Sequence, residues 1–539
     1  MTFAGPRLQI LEQPGFPAFN GGLRDLFATL DDLLACGGDS RLMLDPISRV
    51  NDYGCGVMPS PQTWSFASST ASAISERAYG RAGLAREELM RLAIAVGLEE
   101  ALETRIEEMR EELKAHLALA ADVDVVFSPS GTDSQVHALF LARLLLGEGL
   151  TTIIVGSDQT GSGTAYSARG RHFNRFTASG VTVRKDTPIA GLSGDCITLP
   201  LADATGVRPR ADIDLAVLQA VESALARGAP VLLQIMDASK LGWRAPSGAC
   251  LDEIARRWPD KVQVVVDACQ MRLGRGRLRA CLDRGYMVLV SGSKFFGGPA
   301  FSGALLVPSP LARSLDGREG NAAGMRDYAN RSDWPKGWRL RSHFESRANL
   351  GQWLRWESAL EEIGAYYHVP DAYRARALRE FRATVENLIA LSPQLCSIGS
   401  DVSLDDADDE EFCEPTIFPF TIEGKGGTFS SHECRALYNA LAQDLGDVIG
   451  RSASDRDLAV RRCLVGQPVR IERSGAAPTA VLRLCAGARV VTETWAPNAD
   501  VAQRNLQAEL DCVAEIVAKI ELTVAHVADK GFAELSHGI

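Results

Sequence analysis

Six short apolar runs mark the chain, at 123–127, 152–155, 231–236, 262–266, 287–290 and 304–307. A strand with one wet face alternates polar and apolar positions, whereas a strand covered on both faces reads as continuous apolar sequence. The runs therefore predict strands of a mostly parallel sheet with helices packed on both sides, an α/β fold. Helical periods fall between them: Val136, Leu139, Phe140 and Leu144 recur on one face just after the first run. Further on, 348–364 (ANLGQWLRWESALEEIG) reads as a long helix. Residues 480–491 (AVLRLCAGARVV) read as a strand bearing Arg483, a short turn and more apolar chain. Gly424, Gly426 and Gly427 make a turn, and Asp405–Glu411, six acidic residues in seven, reads as a solvated loop.

Three places on this framework carry chemistry. Lys294 leaves the end of the 287–290 run through the small residues Ser291–Ser293, and a glycine-rich turn, Gly297–Gly303, leads back into the next run. A lysine at the end of a core strand is poorly solvated, which favours a neutral amine fit for Schiff-base chemistry. A lone lysine on a loop is more often a solvated surface group. Ser130, Gly131 and Thr132 sit where the first run gives way to a helix. Free N–H groups and two hydroxyls there can hold a phosphate, or Ser130 can simply cap the helix. No Gly-Lys-Ser/Thr follows and no GxGxxG occurs, which excludes a Walker A loop and the dinucleotide fingerprint. Asp267 closes the 262–266 run at its carboxyl end, the edge where open α/β sheets bind ligands. It can pair with a protonated ring nitrogen or cap the following helix.

The segments SPSGTDS (128–134), VVVDACQ (264–270) and SGSKFFGGPAFSG (291–303) together resemble fold-type I pyridoxal-phosphate enzymes, within them the class V aminotransferase and cysteine desulfurase group. The resemblance spans roughly 85–310 well and the C-terminal part weakly. It implies the PLP-dependent transferase fold: a large domain with a mostly parallel seven-stranded sheet and a smaller α/β C-terminal domain. The division it implies is an N-terminal segment (1–84) over the active site or dimer interface and a cofactor-binding domain (85–310). A connecting segment with a long helix (311–360) and a small domain (361–539) follow. By this likeness Lys294 forms the Schiff base with pyridoxal 5'-phosphate, Asp267 holds the pyridinium nitrogen and Gln270 bonds the phenolic oxygen. Ser130, Gly131 and Thr132 hold the phosphate, helped by Ser291 or Ser293. Arg483 is similar to the arginine that binds the substrate carboxylate, with Arg489 second; the alternative is an exposed strand arginine in a surface salt bridge.

Tyr53, Ser68, Ser69 and Thr70 are candidates for substrate contact, against a solvated loop. Lys240, in MDASKLG, is the rival lysine. No aromatic ring falls where the family stacks one on the cofactor, so Gln159, Thr160 or a residue from elsewhere must face it. Cys463 reads as a buried structural thiol, which leaves persulfide chemistry unsupported. The expected activity is transamination of an amino acid or amine. The alternatives are a lyase of the same fold, by elimination, desulfuration or decarboxylation, and a catalytically idle binding protein.

Composition narrows the partners. At 539 residues, 46% hydrophobic and 23% charged, the make-up is that of an ordinary globular chain. A formal charge of −11 leaves no broad basic surface for nucleic acid or anionic membrane. No uncharged apolar run reaches the roughly 18 residues of a membrane helix, and Pro6, Pro14 and Pro17 interrupt the start, where no signal peptide is visible. Twelve cysteines without CxxC spacing, many within apolar runs, fit reduced core thiols in a cytoplasm. Eight histidines without paired spacing give no metal site. The expectation is a cytoplasmic homodimer.

Overall fold

The computed structural model describes residues 21–203, 206–318, 320, 323–398, 409, 411–471, 478–532 and 535. Its strands run in chain order β1 (Thr63–Phe66), β2 (Asp124–Ser128), β3 (Thr151–Val155), β4 (Asp195–Leu199), β5 (Ala202–Asp203), β6 (Gly206–Val207), β7 (Val231–Met236) and β8 (Val262–Asp267). Then follow β9 (Met287–Ser291), β10 (Gly303–Val307), β11 (Leu395–Ser397), β12 (Ile417–Gly424), β13 (Gly427–Thr428), β14 (Arg462–Ile471) and β15 (Thr479–Cys485).

Seven strands form one sheet, ordered β2-β10-β9-β8-β7-β3-β4. β10 is antiparallel to both its neighbours, and every other pairing is parallel. The mostly parallel seven-stranded sheet expected from the sequence is therefore present, and its six apolar runs are six of these strands. Four of them, β3, β7, β9 and β10, are buried at every position. The seventh, β4, was not foreseen: DCITL lies at the sheet edge, partly exposed, and never forms a continuous apolar run. One face of the sheet packs on the helix Gly131–Leu146, where Leu139 and Phe140 meet Leu305 and Trp334. The other packs on the helices Glu76–Val96, Leu98–His116 and Leu350–His368, with Trp353 and Trp356 at its centre.

A second sheet has the order β1-β14-β15-β12-β11, with β13 paired to β12. Its outer strand β1 comes from the early part of the chain and joins β14 in parallel. The foreseen turn lies between β12 and β13. No helix among the described residues is long and apolar enough to cross a membrane.

The solvated-loop reading of the acidic run fails where it can be examined; residues 405–408 and 410 lie outside the described residues. Asp409 is 3% exposed, and its Oδ2 accepts from Gly274 N at 2.8 Å, where the helix Arg275–Asp283 begins. Glu411 accepts from Arg275 N at 3.2 Å and pairs with Arg374 at 3.4 Å. The unpaired N–H groups and positive dipole of that helix start draw both carboxylates inward.

Arg355, in the helix Leu350–His368, fixes the early chain against the large sheet. Fully buried, it donates from Nε to Phe301 O at 2.7 Å and from Nη1 to Leu34 O at 2.9 Å. Nη1 also reaches Cys36 O, and Nη2 reaches Gly37 O at 3.3 Å. The approach is possible because Gly351 lacks a side chain: a Cβ there would lie 2.2 Å from Cys36 O. A single buried carbonyl left dry costs about 1–3 kcal/mol. Arg355→Met should accordingly lower unfolding free energy in urea by about 2 kcal/mol or more; a loss below about 0.5 kcal/mol would show that the clamp holds nothing.

Candidate active site

Because β2, β3, β7, β8 and β9 point the same way, the segments that follow them emerge at one edge of the sheet. There they enclose a cavity of about 390 Å³. Ser130, Gly131 and Thr132 reach it after β2, Gln159 and Thr160 after β3, and Lys240 after β7. Asp267 and Gln270 come from the end of β8, and Ser291, Ser293 and Lys294 from the end of β9. The second sheet contributes Arg483 from β15. Every residue singled out for catalysis or cofactor contact thus lines the same cavity.

The secondary choices divide. Arg489 stays outside: its guanidinium donates to Gly297 O at 2.9 Å and to Ala73 O, and its Nε lies 3.8 Å from Glu493. Ser68 also turns away, donating to Ala486 O at 2.8 Å and accepting from Arg272 at 2.8 Å. Tyr53, Ser69 and Thr70 do line the cavity, so at these positions the early segment is no free solvated loop.

At the helix start, Ser130 serves two roles together. It is the N-cap of the helix Gly131–Leu146, accepting from Asp133 N at 3.3 Å, and it faces the cavity. Its hydroxyl donates to Asp133 Oδ2 at 2.6 Å. Burial, with the charge of Asp39 adding, pushes the Asp133 carboxyl up to about 7. The loop is shaped by two glycines. A Cβ on Gly131 would lie 2.6 Å from Cys269 Sγ, and one on Gly303 would lie 2.3 Å from the carbonyl carbon of Ser130.

Arg41 stands beside this helix start and was not foreseen from the sequence. Asp39 grips it through Nε at 2.8 Å and Nη2 at 2.6 Å, and Nη2 also donates to Ser130 Oγ at 3.1 Å. The guanidinium lies 4.8 Å from the Phe301 ring centroid. No local signal could have found it, because it and Ser130 are 89 positions apart in the chain.

At the centre, Asp267 Oδ1 accepts from Cys269 N at 3.2 Å, and Oδ2 lies 3.5 Å from Gln234 Nε2. Gln135 donates in turn to Gln234 Oε1, so two buried amides link the first turns of the helix to the carboxylate. The helix-cap alternative for Asp267 is not realised, since the next helix starts after Gly274 and is met by Asp409. Gln270 donates to Ser69 O at 2.9 Å and accepts from Arg272 at 2.9 Å, which fixes the orientation of its amide. Ser291 and Ser293 bond each other at 2.8 Å. Gln159 and Thr160 both line the cavity, and Gln159 Oε1 is buried without a hydrogen-bond partner among the described residues. The aromatic lining comes instead from Tyr53 and Phe301.

Cations dominate the remaining wall. Arg483 is 0% exposed, which overturns its alternative as an exposed strand arginine. It donates to Lys240 O at 3.2 Å, Thr70 Oγ1 at 3.1 Å and Gln467 O, while its Nε is buried without a partner. Lys240, half-buried, is lowered to about 8, first by desolvation and then by the charges of Arg483 and Lys294. Cys463 is buried in β14 with its thiol pushed up to about 11 by desolvation, in keeping with a structural role.

No protein-family model matches the sequence, and no curated protein matches it. Among solved structures, a NifS-like protein aligns at TM-score 0.44 and 12% identity, over 84% of this chain and 99% of its own. A C-DES mutant with glycine covalently linked to the PLP cofactor aligns at TM-score 0.47 and 12% identity, covering 84% of this chain and 97% of its own. The cystine C-S lyase C-DES in complex with its product cysteine persulfide gives 0.45 and 12%, with the same coverage.

The close contact at Gly303 is testable. Its neighbours are backbone atoms of Ser130 and Gly131, which cannot swing aside. Gly303→Ala should cost about 1–3 kcal/mol of stability in chemical denaturation; wild-type stability would mean that the loop shifts freely.

Proposed function

We propose that the protein is a pyridoxal-phosphate enzyme acting at the α-carbon of an amino acid or amine, and that its reaction is transamination. One observation carries the reading: a helix N-terminus, a strand-end carboxylate and a strand-end lysine, from three strands of one sheet, share one cavity. The donor set fits the cofactor. Its phosphate would be held by the N–H groups of the helix start, the hydroxyls of Ser130 and Thr132, and the guanidinium of Arg41. Asp267 would keep the ring nitrogen protonated, and Gln270 would bond the phenolic oxygen. Lys294 would carry the cofactor. When bound, the cofactor supplies an electron sink for charge developing at the substrate α-carbon.

The chain's own groups then divide the work. Lys294 is the base that moves the α-proton. The Gln135–Gln234 pair holds Asp267 in place, so the carboxylate need not reorient during reaction. The planar fork of Arg483 suits the substrate α-carboxylate, which would satisfy its unpaired Nε hydrogen. Transfer of sulfur finds less support. Cys269, the thiol that lines the cavity, is buried and raised well above its ordinary value, and Cys463 lies within β14.

Two experiments test the reading. Asp267→Asn keeps the shape and removes the charge, and turnover should fall by about 10³-fold or more; near-normal turnover would remove Asp267 from the chemistry. Product analysis with amino acids and 2-oxo acids addresses the reaction type. Amino-group exchange that requires a 2-oxo acid is expected. Release of ammonia, sulfide or carbon dioxide without one would replace transamination by a lyase reaction.

A further inference from the structure

Cationic side chains outnumber carboxylates along the cavity. Five cationic side chains face it, Arg41, Lys240, Lys294, Arg435 and Arg483, against the single carboxylate of Asp267. This stands out in a chain whose formal charge is −11. Arg41 is already gripped by Asp39 and belongs to the helix start. Lys294 is committed to the cofactor in the reading above. Arg483, buried and free of any ion pair among the described residues, takes the α-carboxylate.

Lys240 and Arg435 remain. The Lys240 ammonium lines the cavity and feels the charges of Arg483 and Lys294 first and those of the Asp158 and Asp267 carboxylates after them, and the structure gives it no hydrogen-bond or ion-pair partner among the described residues. Arg435 projects from the helix Ser431–Leu441 at the mouth of the cavity. Its guanidinium lies 5.5 Å from the Tyr438 ring centroid, again with no ion pair among the described residues. Like charges held close to one another without a directly paired counter-ion cost free energy, which an anion bound between them would offset.

We propose that the amino acid substrate carries a second acidic group on its side chain, a carboxylate or sulfinate, and that Lys240 and Arg435 bind it while Arg483 binds the α-carboxylate. This inference rests on the pyridoxal-phosphate reading. A neutral side chain would leave both cations without a direct partner. An acidic one offers each a charge-assisted hydrogen bond.

The test uses the protein loaded with pyridoxal phosphate. Aspartate, glutamate, cysteine sulfinate, asparagine and alanine are titrated while the absorbance of the bound cofactor is followed. In parallel, calorimetry measures binding of succinate, a dicarboxylate without an amine, against acetate. Acidic amino acids should bind at least about tenfold tighter than neutral ones, the range of a hydrogen bond to a charged group. Succinate should bind measurably where acetate does not. Lys240→Gln and Arg435→Gln should each shrink the preference for aspartate over asparagine by about tenfold or more. Arg435 is exposed, so its variant reports on binding without burdening the fold. If loaded protein binds asparagine and alanine as tightly as aspartate and glutamate, the second acidic group is wrong while the cofactor reading stands. If the protein takes up no cofactor, the reading itself falls and this inference with it.

Discussion

The common direction of β2, β3, β7, β8 and β9 is the constraint on which the site depends. Parallel strands release their chain ends on one side, and here that side receives a helix start, a carboxylate, two glutamines and two lysines. Register sets the spacing. Asp267 is paired across the sheet with Met236 and Leu289, so the ends of β7 and β9, and with them Lys240 and Lys294, fall on either side of it. The antiparallel β10 then brings Gly303 against both Ser128 and Ser291, tying the helix start and the lysine turn together. Small changes in register would send these groups to different places, and continuous burial of the central strands makes such slips costly.

The second sheet and the early chain complete what the large sheet begins. β1 pairs with β14, and the residues just after it place Ser69 and Thr70 beside Arg483 and Gln270. Arg355 secures Leu34–Gly37, a few residues before Asp39 and Arg41. The wall facing the sheet edge is therefore assembled from distant parts of the chain. Its charge is opposite in sign to that of the molecule as a whole, and the field from such a cavity favours entry of anions over cations.

Much of this was legible in the sequence because strands buried on both faces write themselves as unbroken apolar runs. Asp267 and Lys294 were legible because each follows such a run at or just beyond its end, where a core strand has no packing use for a charge. β4 was not, because an edge strand need not be apolar throughout. Arg41 was not, because its meaning comes from Ser130 and Asp133 across the fold and not from its neighbours in sequence. Asp409 misled for the same reason: six acidic residues in seven look solvated until a distant helix start claims one. The polar relay of Gln135 and Gln234 was hidden inside segments that read simply as helix and strand, although a glutamine in the middle of VLLQIM is itself a signal of a buried partner.

Two lysines line the same cavity, and only one can carry the covalent link to a single cofactor. Lys240 is a serious competitor, since its burial beside two cations favours the neutral amine that such a bond requires. Lys294 has the better placement, at the end of the strand adjoining that of Asp267, with a glycine turn behind it. Borohydride reduction of protein incubated with pyridoxal phosphate, followed by peptide mass mapping, decides between them. The reduced adduct is expected on Lys294; an adduct on Lys240, or none on either, would rule out Lys294 as the cofactor lysine.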